Sequence, residues 1–333
     1  MNGDLTFLDL VLEPLQYEFV VRALTTTIIA SVLCAVLSCW LVLVGWSLMG
    51  DAVSHAVLPG VVLAYVIGIP FAIGALVFGL IAVVAIGAIS TTSRVKEDAA
   101  IGIVFSTLFA LGLVLISVTP SQTDLNHIIF GNILGVSTTD LAQIGGLAAI
   151  GLVLLLVKRR DLTLYAFDPI HCHALGISTR RLQALLLGML ALTAVVSLQV
   201  VGVILVVAML IIPGATAYLL TDRFSRMLLI APAISATCAV VGIYVSYWID
   251  AASGGLVVVA QGVSFFVVYL LGPRHGLLAK LTSSARRTGT SPATAEGSEP
   301  VVAVGESTPS TLTAESATQH QGEGEGWRDT RPF

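Results

Sequence analysis

Charge is what this chain has least of: 16 basic and 20 acidic side chains among 333 residues, or 11%, where a soluble domain carries roughly 25%. Set beside 56% hydrophobic residues, that scarcity excludes a water-soluble fold. The four cysteines (Cys34, Cys39, Cys172, Cys238) are scattered and form no C-x-x-C pair, which removes thiolate metal clusters and redox couples. No G-x-x-x-x-G-K-[ST] stretch is present, so the chain cannot itself be an ATPase. H-E-x-x-H is missing too, and with it the signature of an intramembrane metallohydrolase. The N-terminus has no basic n-region, and Asp4, Glu13 and Glu18 precede the first apolar run. A cleaved signal is therefore not expected, and the first helix targets the chain to the membrane.

What remains is apolar sequence in lengths that cross a bilayer, about 20 residues for a core of about 30 Å. Such runs fall at 23–46, 52–68, 70–92, 99–119, 138–157, 182–200, 202–220, 228–248 and 255–272. The expected fold is all-α, a polytopic membrane protein of eight or nine crossings, the doubtful place being 182–220. Read alternately, the runs put Arg94, Lys96, Lys158, Arg159, Arg160, Arg180, Arg181, Arg223, Arg226, Arg274 and Lys280 on one side and only Arg22 on the other. By the positive-inside rule that side is cytoplasmic. The expected organisation is an extracytoplasmic segment 1–17, a transmembrane domain 18–281 and a cytoplasmic tail 282–333. The tail is rich in Ser, Thr, Gly and Glu and is expected to be disordered. Its four Arg against seven acidic residues account for −3 of the chain's formal −4, so the net charge says nothing about cargo.

Ionisable side chains at membrane depth are rare and usually functional. In Gly50-Asp51-Ala52-Val53-Ser54-His55, a carboxylate and an imidazole stand four residues apart, on one face of a helix. Oxygen plus imidazole nitrogen suits manganese, iron or zinc better than copper(I), and Ser54 offers a further oxygen. A plain alternative is that Asp51 caps a helix and His55 makes one hydrogen bond in the core. Alternate reading of the spans puts Asp51 near the cytoplasmic start of its span. Pro59-Gly60 follows closely, and Pro213-Gly214 lies in the other half of the chain; both mark expected helix breaks of the kind that border substrate paths. Gln199, at membrane level, and Asp124 and His127, in an outer loop, complete the set of candidate ligands.

Between Lys158 and the next span lies Phe167-Asp168-Pro169-Ile170-His171-Cys172-His173-Ala174-Leu175-Gly176. Asp168 as N-cap, Pro169 at the first helical position and Gly176 as terminator predict a short surface helix within about 166–177. His171 and His173 point about 200° apart on such a helix, so a metal shared between them is not expected. A helix lying on the cytoplasmic face is a docking element.

The segment from Ser47 through Asp51 and His55 to Pro59 and Gly60 resembles the signature of the membrane subunits of ABC importers for manganese, zinc and iron(II), the metal-cation permease family numbered 3. Asp98-Ala99-Ala100-Ile101-Gly102-Ile103, the loop 125–137, 200–205 and 213–217 agree with it, and the likeness spans about residues 15–278. It implies a type II importer-like homodimer of permeases in the cell membrane, a cytoplasmic ATPase pair that holds the ATP, and an extracytoplasmic solute-binding protein. Nucleic acid is not an expected partner, membrane lipid is, and no permanently bound cofactor is expected. The resemblance further implies that Asp51 and His55 bind the metal in the translocation path and that Phe167, Asp168, Pro169, Cys172 and Gly176 belong to a helix coupling to the ATPase. Two departures stand out: Gly45-Trp46 where the family often has a basic residue, and Cys172 where it has Ala.

The expected function is ATP-driven uptake of a divalent ion, manganese first, because Asn126-His127-Ile128-Ile129-Phe130-Gly131 resembles manganese and iron members more than zinc ones. Zinc and iron(II) follow. A proton-coupled secondary metal carrier is the nearer alternative, since an Asp and His pair also relays protons.

Overall fold

In the computed structural model, residues 13–119, 135 and 137–272 are described. Asp124, His127, the loop 125–134 and the tail lie outside them. Among the described residues a 3-10 turn, Pro14–Gln16, leads into twelve α-helices: α1 Glu18–Val44, α2 Ser47–Ala56, α3 Leu58–Ile67, α4 Phe71–Thr92, α5 Glu97–Val118, α6 Thr138–Val157, α7 Arg159–Phe167, α8 Pro169–Ala174, α9 Thr179–Val201, α10 Val203–Leu220, α11 Phe224–Ile249 and α12 Ser253–Leu271. Among the described residues none is in a strand. Among the described residues eight helical stretches are long and apolar enough to cross a membrane, α2 and α3 counting together as Ser47–Ile67; in α10 the apolar stretch is the shorter Leu205–Leu220. In a bilayer every backbone polar group must be satisfied within the protein, and helices achieve this locally.

Two of the turns between helices rest on a glycine with positive φ. Gly45 (φ 84) ends α1 and Gly202 (φ 84) separates α9 from α10, conformations open to glycine because it has no Cβ. That single residue resolves 182–220 into two helices. α1 is the hub, in contact with α6, α9, α10 and α11. Its packing face is small and polar: Ala30, Ser31, Cys34 and Ser38 are fully buried, and Cys34 Sγ lies 2.8 Å from Ser197 Oγ of α9. Small residues let helix backbones approach where lipid provides no hydrophobic drive.

Two expected breaks turn out differently. At Pro59 the interruption falls two residues earlier, at Val57, which ends α2 and caps α3; proline has no N–H to return to the carbonyl four residues back, that of His55. At Pro213 there is no break, and α10 runs through it. The Ser38 hydroxyl of α1 explains the continuity, since it donates to Ile211 O (3.3 Å) and accepts from Gly214 N–H (3.0 Å). A neighbouring helix thus supports the backbone that proline loosens.

The surface segment also differs from expectation, being two helices. α7 is held beneath α1 by Trp40, whose Nε1–H donates to Thr163 Oγ1 (3.3 Å) and whose ring meets Phe224 at 5.2 Å. Trp46 adds a contact with Tyr165 at 6.5 Å. At α6, Ser137 Oγ accepts from Asp140 N–H (3.1 Å) and Asp140 Oδ2 accepts from Ser137 N–H (3.2 Å), a reciprocal cap. Ser137→Ala is expected to lower stability by about 1 kcal/mol, read as a small drop in melting temperature.

Candidate metal site

α2 is enclosed by α4, α5, α9 and α10, and its depth follows from what it touches. A Cβ on Gly50 would lie 3.8 Å from Leu190 and 3.9 Å from Leu210, residues near the midpoints of α9 and α10. His55 sits edge-on against the stacked Phe105 and Phe109, near the midpoint of α5, with ring centroids 5.3 and 5.5 Å away. Asp51 and His55 are therefore level with the middle of the bundle, not with its basic end. The expected position near the cytoplasmic start of the span is corrected: α2 begins close after the Gly45 turn and is sunk among longer helices.

The two side chains meet. His55 Nδ1 lies 3.2 Å from Asp51 Oδ1 and 3.0 Å from the Asp51 carbonyl oxygen, while Ser54 Oγ donates to that carbonyl (2.8 Å) and stands 3.2 Å from Nδ1. A carbonyl only accepts, so in this contact Nδ1 carries the hydrogen. The Nδ1 to Oδ1 gap is close to the roughly 3 Å between adjacent ligands of an octahedral ion with bonds of about 2.1 Å. A divalent ion entering between them would have to displace that hydrogen.

Exposure is uneven: the His55 side chain is 14% exposed and the Asp51 side chain 43%. One side of the pair is walled by phenylalanine and the other is open. Among the described residues no group of three His, Cys, Asp or Glu stands close enough to hold a metal, and Asp51 and His55 are a pair of donors. Gln199 does not join it. It is nine residues beyond Leu190, about 13 Å further along α9 at 1.5 Å per residue. Phe105 and Phe109 are the neighbours that sequence reasoning missed; aromatic residues in an apolar span carry no periodic mark that distinguishes them.

At the basic end, Asp168 Oδ1 accepts from His171 N–H (2.9 Å), Pro169 begins α8 and Gly176 terminates it with φ 75. Cys172 faces inward and is fully buried. Burial pushes its thiol up from the ordinary range, and Asp161 and Asp168 act in the same direction. Outward, Ile170 is 78% exposed and Phe167 63%. Both flanking histidines are exposed, so Cys172 and the histidines do not share a face. An apolar knob on a short capped helix is suited to docking.

Residues 16–272 match the model of the ABC 3 transport family. The chain is 49% identical over 290 residues, 87% of its length and 94% of the relative's, to "Manganese transport system membrane protein MntB" of Synechocystis. It is 52% identical over 262 residues, 79% of its length and 96% of the relative's, to "Probable iron transport system membrane protein" of Haemophilus influenzae. Among solved structures, PsaBC from Streptococcus pneumoniae in complex with Fab aligns with a TM-score of 0.77 and 39% identity, covering 83% of this chain and all of that one.

Proposed function

Because the chain belongs to the ABC 3 transport family, and so is the permease subunit of a metal ABC transporter and not an enzyme, we propose that its cargo is manganese, with iron(II) and then zinc as weaker substrates, and that Asp51 and His55 carry the ion across. The observation behind this reading is the paired carboxylate and imidazole, 3.2 Å apart, at the level of the helix midpoints. An oxygen and a nitrogen donor favour an ion of intermediate hardness. Relatives named for manganese and for iron transport stand at similar identity, so the order of preference rests on the loop 126–131 and on this donor set.

A pair of donors facing an open side calls for a second copy. An Asp51 carboxylate directed at lipid would be costly, whereas a homodimer would set two such pairs against each other around one path. In this reading ATP closure of the partner ATPases acts through α8, an extracytoplasmic binding protein delivers the ion, and the chain sits in the cell membrane with its N-terminus outside and its C-terminal tail in the cytoplasm. Phe105 and Phe109 narrow the path beside His55, so the ion sheds water as it reaches the ligands.

The test is uptake of radioactive manganese into cells that co-express the permease, its ATPase and its binding protein, with excess iron(II), zinc or calcium as competitor. Manganese and then iron(II) are expected to compete best and calcium least. Zinc competing better than manganese would overturn the assignment of cargo. Uptake into proteoliposomes holding the permease alone, without ATP, would overturn the importer reading in favour of a proton-coupled carrier. A second prediction concerns α8: Ile170→Asp places a charge on the apolar knob and is expected to reduce ATP-driven uptake on the order of tenfold, as loss of an interface hot spot does. Manganese binding to the purified permease should be unchanged, which separates docking from the metal site.

A further inference from the structure

Away from the candidate metal site, a groove of about 1260 Å³ lies at the basic end, between α1, α6, α7 and α11. Four guanidinium groups line it: Arg159 and Arg160 from α7, and Arg223 and Arg226 from the start of α11. None of the salt bridges among the described residues involves them, and the nearby Asp161 carboxylate is paired with Lys158 at 3.2 Å. Thr163 and Ser225 stand beside the arginines; the rest of the wall is apolar and ordered by depth. From the arginines toward the bundle middle, α6 contributes Leu156 and then Leu152, α11 contributes Leu229 and then Pro232, and α1 backs them with Val36 and Val32.

We propose that this groove binds an anionic phospholipid, with the headgroup phosphate held by the four arginines and the acyl chains lying along α1, α6 and α11. Arginine matches phosphate oxygens with paired N–H donors, and basic pockets between spans are where anionic headgroups settle. The apolar zone decides between occupants. A peptide, the acidic tail of this chain included, would carry unpaired N–H and C=O groups into a slot that offers few partners; hydrocarbon carries none. Leu229 and Leu156 are exposed, so a lipid can enter sideways. Because α7 leads directly into α8, an occupied groove braces the docking helix.

The experiment uses the permease with its ATPase partner, purified in detergent, with bound phosphatidylglycerol and phosphatidylcholine counted by native mass spectrometry. Wild type is expected to retain phosphatidylglycerol selectively, and Arg223→Gln with Arg226→Gln to weaken retention roughly fivefold per arginine removed. Arg180→Gln with Arg181→Gln, outside the groove, should leave it unchanged. Equal retention by the groove variant and wild type would overturn the site. Displacement of phosphatidylglycerol by inorganic phosphate at comparable concentration would overturn the lipid, since it would mean that the chains contribute nothing. A rise in phosphatidylglycerol retention after truncation at residue 281 would identify the tail as the natural occupant and overturn the proposal. These readouts do not depend on which metal is carried, so the proposal stands or falls separately from the assignment of cargo.

Discussion

His55→Ala is expected to reduce ATP-driven manganese uptake by roughly 100-fold, the upper end of what losing a supporting group around a metal does, because only a carboxylate remains of the pair. The protein should still fold and reach the membrane. His55 bonds locally, to the carbonyl and carboxylate of Asp51 one turn earlier, and its aromatic neighbours can close partly over the space. Measuring uptake alongside membrane abundance and melting temperature separates loss of a ligand from loss of the fold. Asp51→Asn sharpens the result: it keeps volume and an acceptor for Nδ1–H but removes the charge that offsets a divalent cation away from water, and it is expected to be nearly as damaging. Uptake of every divalent ion at wild-type rate in the His55 variant would sink the site assignment.

Gly74→Val is the change with the largest expected effect on stability. Gly60 of α3 and Gly74 of α4 face each other so closely that a Cβ on either would collide with the carbonyl of the other. A Cβ at Gly60 would also lie 2.9 Å from Phe78 Cβ. Backbone cannot swing aside as a flexible side chain can, so the helices must part, at about 3 kcal/mol or more. The consequence reaches the candidate metal site, since α3 continues directly from the helix that carries His55. Gly87, where nothing lies within 4 Å of an added Cβ, supplies the control, and Gly87→Ala should hold or slightly raise the melting temperature. If Gly74→Val melts with wild type, the α3–α4 contact is not as described.

Much of the architecture was legible in order. Long apolar runs between basic loops mark spans because bilayer thickness and the expense of burying charge constrain composition directly. The cap at Asp168, Pro169 and Gly176 was legible for the same kind of reason: N-cap oxygen, proline's missing N–H and glycine's positive φ are local properties. α7 was not foreseen, because a mixed segment such as Arg159-Arg160-Asp161-Leu162-Thr163 becomes a helix through Trp40 and Trp46, contacts more than a hundred residues distant in the chain. Gln199 looked like a ligand because polarity at membrane level is conspicuous, but polarity does not report which level.

Taken alone, the sequence determined that this chain crosses a membrane many times, carries no G-x-x-x-x-G-K-[ST] phosphate loop and places Asp51 and His55 on one helical face; each follows from composition, motif content or a four-residue spacing. The tertiary structure decided what depends on neighbours remote in the chain. Leu190, Leu210, Phe105 and Phe109 raise the pair from the apparent edge of a span to the middle of the bundle, and the Ser38 hydroxyl keeps α10 whole across Pro213. Depth and continuity are relations between helices, set by which surfaces pack together, and no single segment encodes them.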